Sequence, residues 1–155
     1  MKRPELYHKT VDILVDAYFA DTLEHGNCYA CAVGNIIAAN CNIQYDPYYM
    51  ARGKLIWKSG RSFWDDVFYT SQSTQSFRID EYEGNAKYQI DSTGYTVYEL
   101  AKIEYAFETA DKGKSEDEWM FNGLMAVVDV LDEIHENTDE EITLKVKSEF
   151  KTCKL

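Results

Sequence analysis

The chain has 155 residues, 45% hydrophobic and 28% charged, which is a globular composition with enough length for one domain around one buried core. Its net charge of −11 argues against binding to nucleic acid phosphates or to an anionic membrane surface. No stretch approaches the ~18 apolar residues of a membrane span, and Asp12 and Asp16 interrupt the apolar run after the basic start Met1-Lys2-Arg3, so no signal peptide is expected.

The first helix is predicted from Pro4 to about Leu23. Proline suits the first helical position, and Leu6, Val11, Leu14, Val15, Tyr18 and Phe19 recur at helical spacing opposite Lys9, Asp12 and Asp16. His25-Gly26 is expected to end it, with Gly26 in a left-handed cap. Asn27 is then expected to cap a second helix from about Cys28 to Cys41, apolar nearly all round and therefore buried. Ala30, Gly34 and Ala38 form a row of small side chains on it, and Asn35 beside them requires a hydrogen-bond partner if buried. Together these two helices make a hairpin over residues 4–41.

Residues 42–92 form an aromatic-rich insertion carrying Tyr45, Trp57, Trp64, Phe68 and Tyr82, punctuated by turn signals at Asp46-Pro47, Ser59-Gly60 and Gly84-Asn85. A second hairpin and a C-terminal helix follow over residues 93–152. Thr96 with Glu99 reads as a capping box ahead of Leu100, Ile103, Tyr105, Ala106 and Phe107. Lys112-Gly113-Lys114 breaks that helix, and Ser115 with Glu118 is a second box opening a long amphipathic helix to about Glu136. Asn137-Thr138-Asp139 caps the last helix, which has lysines near its end. The expected fold is an all-α bundle of five or six helices built on two helical hairpins.

The segment from His25 to Asn35 concentrates the candidate chemistry. Four cysteines in a chain without a secretory signal point to thiols or metal ligands rather than a disulfide framework. Cys28 and Cys31 have the spacing of a zinc knuckle, with His25 three residues ahead and Cys41, Cys153 or His135 available to complete four ligands. A zinc site is usually announced by two paired half-sites, and here there is one. A CxxC at a helix start also lowers a thiol pKa, but no βαβ pattern surrounds this one. The plainer reading is that these sulfurs fill space in a packed helix. An EF-hand loop starting at Asp111 fails, because Glu116 stands where glycine is required and Asn122 where a bidentate glutamate is required. No phosphate loop or GxSxG motif is present.

The run His25-Gly26-Asn27-Cys28-Tyr29-Ala30-Cys31 resembles the nucleophile segment of papain-like cysteine proteases, with Gly26, Cys28 and Cys31 in agreement. The resemblance implies Cys31 as nucleophile, His25 at the oxyanion position and His135 as the candidate base. Tyr29 and Ala32 depart from that pattern, the chain is short for two lobes, and His135 falls at a helix end, where a surface cation is the simpler expectation. Asp21-Thr22-Leu23 through Asn35, and Trp119 through Ala126, resemble segments of small uncharacterised proteins of gut bacteria and their phages, which implies an accessory intracellular role.

Charge patterning supplies the leading functional expectation. Residues 99–141 hold 14 acidic residues against 3 lysines, whereas residues 1–98 hold 12 acids against 9 bases, so the acidity belongs to one segment. A non-catalytic interaction domain without cofactor is therefore expected, presenting Glu104, Glu108, Glu116, Asp117, Asp129, Asp132 and Glu133 to a basic protein partner in the cytoplasm. A homo-oligomer is compatible with the sequence. The alternative is a thiol protein, a zinc protein or a cysteine hydrolase centred on His25, Cys28 and Cys31.

Overall fold

The computed structural model describes residues 1–26, 30–42 and 89–151. They form five helices, Pro4–Phe19 (α1), Ala32–Asn40 (α2), Val97–Thr109 (α3), Glu116–Ile134 (α4) and Glu140–Glu149 (α5), with a helical turn at residues 89–91. No strand occurs among the described residues, and the fold there is all-α. Most of the aromatic insertion, and with it the structure expected for residues 43–88, lies outside them, as do Asn27, Cys28 and Cys153.

α1 starts at Pro4 as expected and buries Tyr7, Thr10, Val11, Leu14, Ala17 and Tyr18, the three- and four-residue spacing of one helical face. It stops at Phe19 rather than Leu23. The cap is Asp21, not Gly26. Asp21 takes a left-handed backbone (φ 58°), its N–H donates to the Tyr18 carbonyl at 3.3 Å, and the Thr22 N–H donates to the Ala17 carbonyl at 3.0 Å. Those two bonds close a Schellman motif on an aspartate, a residue that tolerates the left-handed region. The end of α4 repeats the device on Glu136 (φ 54°), with Glu136 N–H to Glu133 O at 3.2 Å and Asn137 N–H to Asp132 O at 2.8 Å.

α2 begins at Ala32, so Cys31 is its cap rather than an interior residue. The Cys31 backbone is extended and its sulfur accepts the Gly34 N–H at 3.2 Å. Asn35 explains why the helix starts there. Its buried amide nitrogen donates to the carbonyls of Thr22, Ala30 and Cys31 at 2.9, 3.0 and 3.1 Å, and its oxygen accepts from the Thr22 hydroxyl. One side chain thus satisfies the incoming turn and ties it to the end of α1. Without it the Ala30 and Cys31 carbonyls keep the backbone N–H groups of Glu24 and Asn35, while the Thr22 carbonyl loses its donor, at about 1–3 kcal/mol.

The Thr96–Glu99 capping box forms as expected at the start of α3. At α4 only half of the second box forms. Ser115 accepts the Glu118 N–H, but the Glu118 carboxylate bonds the Lys114 N–H at 2.6 Å, one residue further out. Asp139 caps α5 by accepting from Glu141 N–H.

α3 lies along α4, α2 packs against both α1 and α3, and α4 also meets α1 and α5. The interior is filled by Leu14, Ile36, Ile37, Leu100, Ile103, Phe107, Leu124, Val127, Val128 and Leu131, and Val146 and Phe150 bring α5 onto it. Tyr105, expected on the inner face of α3, is 43% exposed instead.

Left-handed backbone at a glutamate is costly, and the ion pair of Glu136 with Lys2 is between exposed side chains (3.1 Å) and contributes little. Glu136→Gly should therefore raise the unfolding midpoint, by about 0.5–1 kcal/mol in stability, as read by chemical denaturation.

Candidate functional site

His25 follows α1 and lies against the α3–α4 hairpin. Its imidazole is stacked between two rings, Phe107 of α3 (centroids 4.2 Å, planes 11° apart) and Trp119 of α4 (3.8 Å, 4°). Lys112 covers the other side of Trp119, its ammonium 5.1 Å from the ring centroid. A cation, an indole, an imidazole and a phenyl ring so form one column. His25 Nε2 lies 3.0 Å from the Phe107 carbonyl. A carbonyl only accepts, so Nε2 carries the proton and Nδ1 the lone pair. Phe107 O is one of the last four carbonyls of α3, which have no partner within the helix, and His25 caps it. Burial holds the imidazole pKa below its ordinary value, with the Phe107 carbonyl opposing.

The column fits because residue 123 of α4 is glycine. A Cβ there would stand 2.9 Å from the Phe107 carbonyl oxygen, 3.1 Å from the Phe107 ring and 3.2 Å from His25 Nε2. Next to the column the Gly26 N–H donates to the Glu108 carboxylate at 3.0 and 3.2 Å, so the turn after α1 is bonded to the last turn of α3 twice. Burial pushes the Glu108 pKa up, against the Gly26 N–H and a hydrogen bond with Glu104.

Among the described residues, those of the hydrolase and metal readings do not converge. His25 packs at Gly123, and His135 follows α4 twelve residues later, about 18 Å along the helix. Cys31 and Cys41 cap opposite ends of α2, ten residues or about 15 Å apart, too far to share an ion. Cys41 Sγ lies 3.3 Å from the Ser92 hydroxyl. Among the described residues no three His, Cys, Asp or Glu side chains are grouped as a metal ion would require.

His135 is not a surface cation. It is fully buried, with Nδ1 2.7 Å from the Lys2 carbonyl and Nε2 2.8 Å from the Tyr95 hydroxyl. Burial lowers its pKa, and Arg3 lowers it further, against the Lys2 carbonyl and the carboxylates of Glu99 and Asp132. No local pattern in the sequence marked this position, because all its partners except Asp132 come from 36 or more residues away.

The acidic face is smaller than the charge count implied. Glu104 is fully buried and is not on any surface, because it sits on the inner side of α3 with Leu100, Ile103 and Phe107. Glu108 is committed to Gly26. Asp132 accepts from the Tyr7 hydroxyl at 2.6 Å, the Thr143 hydroxyl at 2.5 Å and the Asn137 amide at 3.0 Å, a knot joining α1, α4 and α5. Asp129 pairs with Lys147 at 2.7 Å, and Glu133 with Lys102. Glu116 and Asp117 remain exposed in the first turn of α4, where the helix dipole favours them. A second exposed acidic turn, inside the acidic segment but not among the residues singled out from the sequence, is Asp139-Glu140-Glu141 at the start of α5. Beside it is a groove of about 350 Å³ lined by Asp132, Asn137, Thr138, Glu140, Thr143 and Leu144. Leu144 is 67% exposed. No helix among the described residues is long and apolar enough to cross a membrane.

Comparison with known proteins finds no family model that matches the sequence, no similar curated protein and no similar solved structure.

Two outcomes follow for the His25 column. Gly123→Ala should cost about 1–3 kcal/mol in denaturant unfolding, since the added methyl meets helix backbone that cannot turn aside. Both His25 and His135 have folded-state pKa values below the ordinary 6.5, so their contribution to stability is complete above that value and is lost as pH falls through the lowered ones. The urea midpoint should accordingly drop as pH falls from neutral toward about pH 5.5, and His25→Gln should make that decline shallower.

Proposed function

We propose that the chain is a non-catalytic accessory domain that binds a basic segment of a protein partner. The observation that carries this reading is the corner between α4 and α5. There the most exposed large apolar side chain among the described residues, Leu144, borders a groove whose rim bears Glu140, with Asp139 and Glu141 beside it. A lysine- or arginine-rich segment suits such a surface. Its aliphatic stems lie on Leu144 while its charged heads meet the carboxylates. Glu116 and Asp117, about 28 Å away at the other end of α4, offer a second acidic contact to an extended partner.

The internal commitments of the thiol and imidazole groups also favour binding over catalysis. The Cys31 sulfur caps α2, and His25 and His135 each hold a backbone carbonyl.

Titration of a panel of lysine- and arginine-rich amphipathic peptides tests the reading. Binding should weaken severalfold as salt rises, and Leu144→Ala and Glu140→Gln should each reduce it by a further factor of about 3–10 without altering the helical spectrum. Cys31→Ser should leave binding intact, because a serine hydroxyl accepts the Gly34 N–H in the sulfur's place. Absence of binding at low salt, binding indifferent to salt, or its loss in Cys31→Ser would each overturn the reading.

A further inference from the structure

His135 joins four parts of the molecule. The segment ahead of α1 is bound to it reciprocally: the Lys2 N–H donates to the His135 carbonyl at 2.6 Å, and His135 Nδ1–H donates to the Lys2 carbonyl at 2.7 Å. From Nε2 a chain runs to the Tyr95 hydroxyl (2.8 Å), on to the Thr10 hydroxyl (2.7 Å), and ends at the Leu6 carbonyl (2.8 Å) in α1.

This chain can be polarised in two directions. The Lys2 carbonyl only accepts, so Nδ1 keeps its hydrogen throughout and Nε2 is the atom that gains or loses a proton. With His135 neutral, Tyr95 donates to Nε2 and Thr10 donates to Tyr95. When Nε2 takes a proton from water, Nε2–H donates to Tyr95, Tyr95 turns to donate to Thr10, and Thr10 turns to donate to the Leu6 carbonyl. Each donor finds an acceptor in both states, so the site admits a proton without orphaning a buried polar group.

The charge is less easily accommodated than the hydrogen. Arg3 stands over the Tyr95 ring, 5.5 Å from its centroid, and opposes a second cation beside it. The Lys2 carbonyl favours it, as do Glu99 of α3 and Asp132 of α4. Both carboxylates are already engaged, Glu99 by Arg3 at 2.8 Å and Asp132 by Tyr7, Thr143 and Asn137. The rings facing His135 stay neutral. Burial pushes Tyr95 up to about 12, and burial with the Asp132 carboxylate pushes Tyr7, edge-on to the imidazole at 5.4 Å, well above the usual tyrosine range. The Lys2 ammonium points away to Glu136 at the surface. The element around the new charge that lies outside the helices is the segment 1–3, held by its bonds to His135 and by Arg3 to the Gly94 carbonyl and Glu99. It is exposed, it brings the opposing guanidinium, and Arg3 sits in left-handed backbone (φ 50°, ψ 56°).

We propose that His135 is a proton-operated latch: uptake of one proton at Nε2 in mildly acidic solution reverses the Tyr95–Thr10 chain and releases the segment 1–3, with Arg3, from α3 and α4. The bundle itself stays closed, held by the apolar contacts among Leu14, Ile36, Leu100, Ile103, Leu124 and Leu131. Release uncovers the Glu99 carboxylate and the Tyr95 ring, a surface that the closed latch hides.

Nitrogen and amide NMR of the full chain through the pH range just below neutrality decides the matter. The Lys2 and Arg3 amides should shift with the midpoint of the His135 ring nitrogens, and Lys2 amide exchange, corrected for its intrinsic rate, should rise about tenfold or more while Leu124 and Val127 stay protected. Tyr95→Phe removes the acceptor for Nε2–H and should move that midpoint to lower pH. The latch is overturned if Lys2 loses protection only together with Leu124 and Val127, if its shift follows the exposed His8 instead of His135, or if Tyr95→Phe leaves the midpoint in place. Should Tyr95→Phe fail to fold, agreement or disagreement of the Lys2 and His135 midpoints in the unsubstituted protein decides by itself.

Discussion

The contact between α3 and α4 at Gly123 sets where the other described elements can go. An absent side chain lets the Phe107 carbonyl and ring approach α4, and the space left between Phe107 and Trp119 is one aromatic ring thick. His25 fills it. Its Nε2–H caps a carbonyl at the end of α3, and the adjoining Gly26 N–H binds the Glu108 carboxylate. The turn leaving α1 is thereby anchored to the far hairpin. Asn35 anchors the same turn to the start of α2 through Thr22, Ala30 and Cys31. Two polar side chains, one aromatic column and one glycine hold the two hairpins in register, while the apolar interior provides most of the free energy.

The same logic governs the acids. A chain with this much negative charge repels itself, and the fold disposes of part of it inside. Asp132 becomes an acceptor for three donors from α1, α5 and the turn between α4 and α5, and Glu108 becomes a cap. Asp129 and Glu133 face lysines at the surface. Exposed pairs of that kind are worth about 0–1 kcal/mol, so they neutralise more than they stabilise. Glu116, Asp117 and Glu118 at the start of α4 and Asp139, Glu140 and Glu141 at the start of α5 stay outward, where backbone dipoles tolerate them. A uniform acidic face along α4 is not built.

Local signals were readable where the deciding interaction lies within a few residues. Pro4, the Thr96–Glu99 box, the Ser115 and Asp139 caps and the apolar spacing of α3 and α4 all behave as their spacing requires. The end of α1 and the start of α2 depart from the expected positions for a physical reason, whereas α2 ends at Asn40 with Cys41 as its cap, as expected. Gly26 is the obvious left-handed residue, yet Asp21 takes that conformation first, and Cys31 was assigned to a helix interior because its capping bond to Gly34 resembles nothing in the usual set of capping side chains.

Composition and spacing were enough to establish an all-helical fold for the described residues and the order of their helices, because helix formation depends on neighbours three and four residues away. They could not say which histidine is buried, which glutamate is internal, or that His25 and Cys31 serve different partners. The two histidines are placed by distant contacts, His25 with Phe107, 82 positions away, and His135 with Tyr95 and Lys2, 40 and 133 positions away. Packing settles these assignments, since only the assembled helices determine which carbonyls lack a donor and which side chain is near enough to supply one.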